Sequence, residues 1–242
     1  MSETAAPGPV REMPLAEALD WEAARLADIA EGRAAAAALL WSCEPALVAP
    51  KRLGGLPGFA RAGAAAAEAG WPVHLRATGG DLVPQGPGVT NLTLLFRAPP
   101  GPAPGLDDAY RHLTAPIRAA LADLGIDSCH GSVPGAFCDG RFNVTVAGRK
   151  FAGTAQRWRP VAAGHAVQSH AMMLMRGPDP DMIATLNRFY RDCGIDRRIE
   201  AAAHVGLHDL AGPGQADAMQ GRFLAGLAER VLPRSRFRAR RG

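Results

Sequence analysis

Gly135-Ala136-Phe137-Cys138-Asp139-Gly140-Arg141-Phe142-Asn143-Val144-Thr145-Val146-Ala147-Gly148-Arg149-Lys150-Phe151-Ala152-Gly153-Thr154-Ala155-Gln156 decides how the chain is read. Phe142, Val144 and Val146 alternate with Asn143 and Thr145, which predicts a half-buried strand. Ala147-Gly148 is a two-residue hairpin connection. By alternation, the return strand puts Lys150, Ala152 and Thr154 on one face, and Phe151, Gly153 and Ala155 on the other. The small residues leave a clearing against the backbone. Cys138 precedes the first strand and Lys150 follows the turn. A thiolate attacks a carbonyl, and a fixed ammonium stabilises the oxygen that gains charge. Cys138 and Lys150 are therefore the candidate catalytic pair for acyl transfer. The plain alternatives are a buried structural thiol and an ordinary strand-end lysine.

Downstream, Val167 to Met175 reads as an apolar strand carrying His170, whose plain role is a hydrogen-bonded core histidine. His204 and His208 are four apart, but Gly206 lies between them and no acidic pair accompanies them, so no metal site is expected. Upstream, Arg76-Ala77-Thr78-Gly79-Gly80 follows a short strand. Arg76 can fork onto a phosphate or carboxylate, and adjacent glycines let backbone N–H groups approach a ligand. The glycine spacing fits neither a P-loop nor a dinucleotide fingerprint. Four glycines and two prolines between Gly79 and Gly88 predict a loop.

Helical spacing runs through Leu15, Leu19, Leu26 and Ile29, through 58–69, through Tyr110 to Leu124, and through Met219 to Val231. Pro116 predicts a kink or a second helix start. Asp179-Pro180 is an N-cap and first-turn pair for a helix ending at Gly194. Further strands are expected at Leu39–Trp41, Ala46–Ala49, Trp71–Leu75 and Asn91–Phe96. Irregular alternation with short turns predicts the α+β class, with a largely antiparallel sheet and helices packed on it. The expected organisation is a flexible N-terminus over 1–13, a single domain over 14–232 and a basic tail over 233–242.

The composition, 48% hydrophobic and 21% charged, supports a sizeable core. No apolar run approaches the roughly 20 residues of a membrane span. No basic segment followed by an apolar stretch opens the chain, so a cytoplasmic protein is expected. The net charge is +4, and the five arginines between Arg234 and Arg241 supply more than all of it. Phe237 is the tail's one aromatic, so interleaved stacking on bases is poorly supported and a nucleic-acid partner is disfavoured. The four cysteines lack C-x-x-C spacing and are too sparse for a disulfide scaffold.

Together these residues resemble the biotin/lipoate protein ligase and octanoyltransferase superfamily. Leu19-Asp20-Trp21-Glu22 is similar to its first helix, and Trp71 to Gly80 to its Arg–(Ser/Thr)-Gly-Gly acyl-binding loop. Gly148 to Gln156 is similar to its lysine motif, and Gln168 to Leu174 to the strand that follows. The resemblance implies a mixed sheet flanked by helices and a tunnel for an octanoyl or lipoyl chain. Cys138, twelve residues before Lys150, is similar to the cysteine of the octanoyl-transferring branch. That implies a Cys138 thioester, with Lys150 at the acyl carbonyl and no cofactor beyond the octanoate or lipoate substrate. Arg76, Thr78, Gly79, Gly80, Asn143, Gly153, Thr154, Ala155 and His170 would bind the acyl group. The implied donor is an acyl carrier protein or an octanoylated lipoyl domain, and the acceptor is a lipoyl-domain lysine. Asp81 stands where the ligase loop has a third glycine, and Gln85 stands near its histidine. The rival readings are an ATP- and magnesium-dependent lipoate ligase using acyl-AMP, a biotin-specific enzyme, and a non-catalytic acyl- or carrier-binding module.

Overall fold

A computed structural model describes residues 9–101 and 105–232. The basic tail at 233–242 lies outside them. In chain order the elements are β1 (Arg11–Glu12), α1 (Leu15–Ala30), β2 (Ala36–Ser42), β3 (Ala46–Pro50), α2 (Phe59–Glu68), β4 (Val73–Arg76), β5 (Val83–Gln85), β6 (Val89–Ala98), α3 (Leu106–Ala122), β7 (Cys129–His130), β8 (Val144–Val146), β9 (Arg149–Val161), β10 (Gly164–Leu174), α4 (Pro180–Asp192) and α5 (Ala216–Val231). The large sheet has strand order β1-β2-β6-β10-β9-β8-β7, and a small sheet has order β4-β3-β5. Among the described strands, only the β1–β2 and β3–β4 pairings are parallel. The architecture is the expected α+β class with a mixed, largely antiparallel sheet, and the second sheet is an addition to it.

Alternation along β10 sorts the core. Ala171 and Met173 join Leu113, Ile117 and Phe223 beneath α3 and α5. Met172 and Leu174 face Trp41, Leu15 and the small sheet. Helix α1 buries Leu15, Ala18, Leu26 and Ile29, together with one carboxylate, Glu22. A charged side chain on that stripe requires partners.

Several local expectations change. Arg11 and Glu12 pair with Trp41 and Ser42, and Met13 is buried, so described structure begins before residue 14. The stretch expected as loop to Gly88 contains β5. Its Pro84 is tolerated because β5 is an edge strand. Helix α3 runs unbroken through Pro116. The carbonyl that the missing N–H would have satisfied belongs to exposed His112, where water can serve it. The first hairpin strand is only Val144–Val146, and all three residues are buried. Phe142 leaves the alternation and stacks on Tyr110, with ring centroids 4.8 Å apart. Ala147 and Gly148 both have positive φ, 49° and 74°, the geometry of a tight primed turn.

Candidate active site

Cys138 lies in the loop between β7 and β8, 8% exposed, with a left-handed φ of 45°. A non-glycine residue keeps that conformation only where its surroundings hold it. Here they hold both flanks. The Phe137 N–H donates to His204 Nε2 at 3.2 Å, and the Phe137 ring stacks on that imidazole at 4.2 Å. Lys150 Nζ donates to the carbonyls of Phe137 and Cys138 at 2.6 and 2.9 Å. On the other flank the Asp139 carboxylate accepts from the N–H groups of Val133 and Gly140, both at 2.8 Å. It also accepts from Asn143 Nδ2 at 2.7 Å and from the Ser132 hydroxyl. Burial works to raise the Asp139 pKa, but these hydrogen bonds and the Lys150 charge hold it below the ordinary value.

The sulfur faces the glycine loop. The Asp81 N–H donates to Cys138 Sγ at 3.0 Å. Gly80 has φ 93°, and a Cβ there would lie 2.8 Å from Sγ and 2.9 Å from Arg76 Nη2. Only glycine lets thiol and loop approach so closely. Arg76 turns its fork inward, donating to Gly79 O at 3.0 Å and Asp81 O at 2.8 Å. The guanidinium expected to grip a ligand thus shapes its own loop. The Asp81 carboxylate pairs with Arg197, and Arg52 lies 3.6 Å away.

Lys150 is 1% exposed. Strict alternation would turn it away from Gly153, but the β8–β9 register shifts. Val144 pairs with Ala152 and Thr145 with Lys150, so Phe151 is an extra residue in β9. The bulge brings Lys150 onto the Gly153 side, where a Cβ on Gly153 would sit 2.8 Å from Nζ. Burial pushes the Lys150 pKa down to about 8. The charges of Cys138 and Asp139 resist that, and those of Arg197 and Arg76 add to it. The group is cationic at neutral pH. Its third N–H has no hydrogen-bond partner among the described residues.

His204 was set aside as half of an unconvincing metal pair, and its role here is structural. Its Nδ1 donates to Glu200 O at 2.9 Å, leaving Nε2 to accept from Phe137. Burial pushes its pKa down to about 4. The Glu200 carbonyl opposes this, and Lys150 reinforces it. Among the described residues, no cluster of three or more His, Cys, Asp or Glu could hold a metal ion. Nor is any helix long and apolar enough to cross a membrane.

The sequence-predicted residues converge. Cys138, Arg76, Gly153, Thr154, Ala155 and His170 line one pocket. Thr78, Arg76 and His170 line a second beneath it, against Leu19 and Trp41. Each measures about 10 Å³, room for about one water rather than an open acyl tunnel. Gly79, Gly80, Asn143 and Thr154 border an outer cleft of about 270 Å³ with Cys138 at its base. Lys150 stands behind the loop, bonded to its carbonyls rather than lining these hollows.

Residues 14–205 match the lipoyl protein ligase A/B catalytic domain family. The chain belongs to that family. An uncharacterized protein of Cupriavidus necator is 36% identical over 192 residues, covering 74% of this chain and 75% of its own. The octanoyl-[GcvH]:protein N-octanoyltransferase of Kyrpidia tusciae is 36% identical over 188 residues, covering 75% of this chain and 64% of its own. The match to that enzyme of Geobacillus kaustophilus, 31% identical, covers 50% of this chain and 41% of the relative. The chain therefore spans under two thirds of the transferase relatives' length. A lipoate-protein ligase A structure bound with ATP shares the fold, with TM-score 0.64 and 16% identity over 93% of this chain and 85% of that one.

Five residues that shape the site were not assigned to it from the sequence: Glu22, Asp81, Asp139, Arg197 and His204. Two carried a legible signal. Asp139 adjoins the candidate nucleophile. Glu22 occupies the apolar stripe position between Leu19 and Leu26, where a charge needs a reason to be. Arg197 and His204 lie in irregular chain, where no periodicity assigns a face.

Proposed function

We propose that this family member transfers an octanoyl group between lipoyl domains through a Cys138 thioester. The observation that carries the reading is the restrained Cys138 loop, with the sulfur against a backbone N–H and a buried ammonium directly behind it. The transferase relatives' names add the donor class, an octanoylated GcvH, over an acyl carrier protein. In the first step Cys138 Sγ attacks the acyl carbonyl carbon and the donor group leaves. In the second the acceptor lysine takes the acyl group as an amide and the thiolate returns. The loop N–H groups stabilise the oxyanion in both steps, and the Lys150 charge directly behind the loop adds to their field.

The loop argues against acyl-AMP. Arg76 is engaged by two carbonyls of its own loop, so its fork is not presented to a phosphate. No ATP or magnesium requirement is expected. The narrow inner pockets must widen to admit an eight-carbon chain, so substrate binding should move Arg76 or Met172. The test mixes octanoylated GcvH, an acceptor lipoyl domain and the protein, without nucleotide. Octanoyl transfer by intact mass, lost in Cys138→Ala, supports the reading. Transfer that needs ATP and survives Cys138→Ala establishes the ligase instead. A non-catalytic module would bind the acyl domain and transfer nothing.

A further inference from the structure

Three carboxylates lie around the inner pockets and the outer cleft, and two of them are taken. Glu22, 5% exposed, accepts from the Thr93 hydroxyl, from Gln168 Nε2 at 2.6 Å and from His170 Nδ1 at 3.1 Å. Asp81 is paired with Arg197 and has Arg52 3.6 Å away. Asp139 differs, because its partners among the described residues are all neutral. Its Oδ1 accepts from the N–H groups of Val133 and Gly140, both at 2.8 Å, and from Asn143 Nδ2 at 2.7 Å. Its Oδ2 accepts from the Ser132 hydroxyl. A carboxylate oxygen has roughly two lone-pair sites, so Oδ2 keeps one open.

Asp139 also stands where a second substrate must enter. Cys138 borders both a narrow inner pocket, walled by Val83 and Met172, and the outer cleft. The acyl chain belongs in the first, so a group that attacks its carbonyl arrives through the second. Asp139 follows Cys138 directly, with Cα atoms about 3.8 Å apart, and lines that cleft with Tyr110, Phe142 and Asn143. The stacked rings of Tyr110 and Phe142 offer an apolar wall to a methylene stem. The neighbouring cations leave the carboxylate uncovered. Arg141 turns to Asp107 at 2.5 Å, and Lys150 is bonded to carbonyls behind the loop. An apolar wall ending in an ionised carboxylate suits an alkylammonium.

We propose that the outer cleft is the entry for the acceptor lysine and that Asp139 Oδ2 binds its ammonium beside Cys138; this rests on the thioester reading above. The ammonium yields one proton to cleft water, and the neutral amine attacks the thioester carbonyl carbon. The C–N bond forms, the C–S bond breaks, and its electron pair leaves with Cys138 as thiolate. The nitrogen, cationic once it has attacked, sheds its second proton to water. Asp139 favours the positive nitrogen on arrival and again during attack. An uncharged nucleophile gains only the second of these, and a small thioester donor gains neither.

That difference is the test. Asp139→Asn keeps an oxygen for the Val133, Gly140 and Asn143 donors and removes the charge. The full chain is loaded with the octanoyl thioester of N-acetylcysteamine, and discharge is followed by intact mass. The variant should load within about three-fold of wild type. Its apparent KM for an acceptor lipoyl domain should rise about 10-fold or more. Its discharge to hydroxylamine, uncharged at neutral pH, should change less than that. An unchanged KM for the lipoyl domain, or equal slowing of loading and both discharges, overturns the assignment. If the variant does not fold, the wild-type chain carries the test through alkylation of Cys138 by iodoacetamide. n-Butylammonium should slow that alkylation at concentrations where n-butanol does not, and equal effects overturn the assignment. A wild-type protein that forms no octanoyl adduct on Cys138 overturns the thioester reading itself, and the alkylation comparison then decides the ammonium site on its own.

Discussion

Two hollows lie on opposite faces of the large sheet. The hollow between α3 and α5 is the larger, about 500 Å³, and is lined by Ala38, Leu94, Phe96, Ala115 and Val231, with Arg230 at its edge. Arg230 is already held by Asp123 and by Gly226 O, both at 2.8 Å. The hollow at Cys138 is narrower, yet it and its walls gather a left-handed cysteine, a buried ammonium, the buried His204 and one buried carboxylate, Glu22. Volume does not mark the chemistry here. What marks it is backbone strain and buried charge that the surrounding chain is organised to hold.

Substitutions at the two hollows should separate sharply. Cys138→Ala should lower octanoyl transfer by at least about 10⁴-fold, measured with purified lipoyl domains, because no other group can form the thioester. Lys150→Met should lower it by about 10³-fold. It should also cost about 1–3 kcal/mol in denaturant unfolding, since two buried carbonyls lose their donor. Gly153→Ala sets a methyl against Nζ, so transfer should drop by about 10- to 100-fold and stability by about 1–3 kcal/mol. Ala115→Ser in the larger hollow should change transfer by less than about two-fold. A large effect there would mean that the wrong hollow has been assigned.

pH sharpens the same contrast. The folded chain loses the Lys150 proton near pH 8, while the unfolded chain keeps it to its ordinary value of 10.5. Across that interval the unfolded state binds more protons, so stability rises with pH while the cation proposed to assist transfer disappears. Transfer rate and melting temperature should therefore part above pH 8. At the acid end His204 stays neutral down to about pH 4 when folded, against 6.5 in the unfolded chain. Its share of stability is present above pH 6.5 and is lost as pH falls toward 4. There, transfer and melting temperature should fall together.

Much of this was legible in the sequence, and unevenly so. The α+β class, the main helices and the Cys138–Lys150 pairing follow from periodicity, caps and one dense stretch of motif. The face of Lys150 was not legible. Strict alternation turns it the wrong way, because one bulged residue, Phe151, inverts every assignment beyond it. The partners of Arg76 were not legible either, since a guanidinium facing its own loop reads like one facing a ligand. Asp81 meets Cys138, Arg197 meets Ala136 O and His204 meets Phe137, each across 57 or more residues of chain, a distance that local pattern does not bridge.

In the proposed reaction one sulfur of four, that of Cys138, carries the acyl group. Cys43 is buried, with burial and then Glu44 raising its pKa to about 12. Cys193 is raised as well, and Cys129 is the exposed thiol. The most direct measurement digests the protein after brief mixing with octanoylated GcvH and maps the hydroxylamine-sensitive octanoyl group by peptide mass spectrometry. The group should lie on the peptide containing Cys138 and should vanish when an acceptor lipoyl domain is added. An octanoyl group on Cys129, or transfer completed with no octanoyl-cysteine formed, would contradict the account.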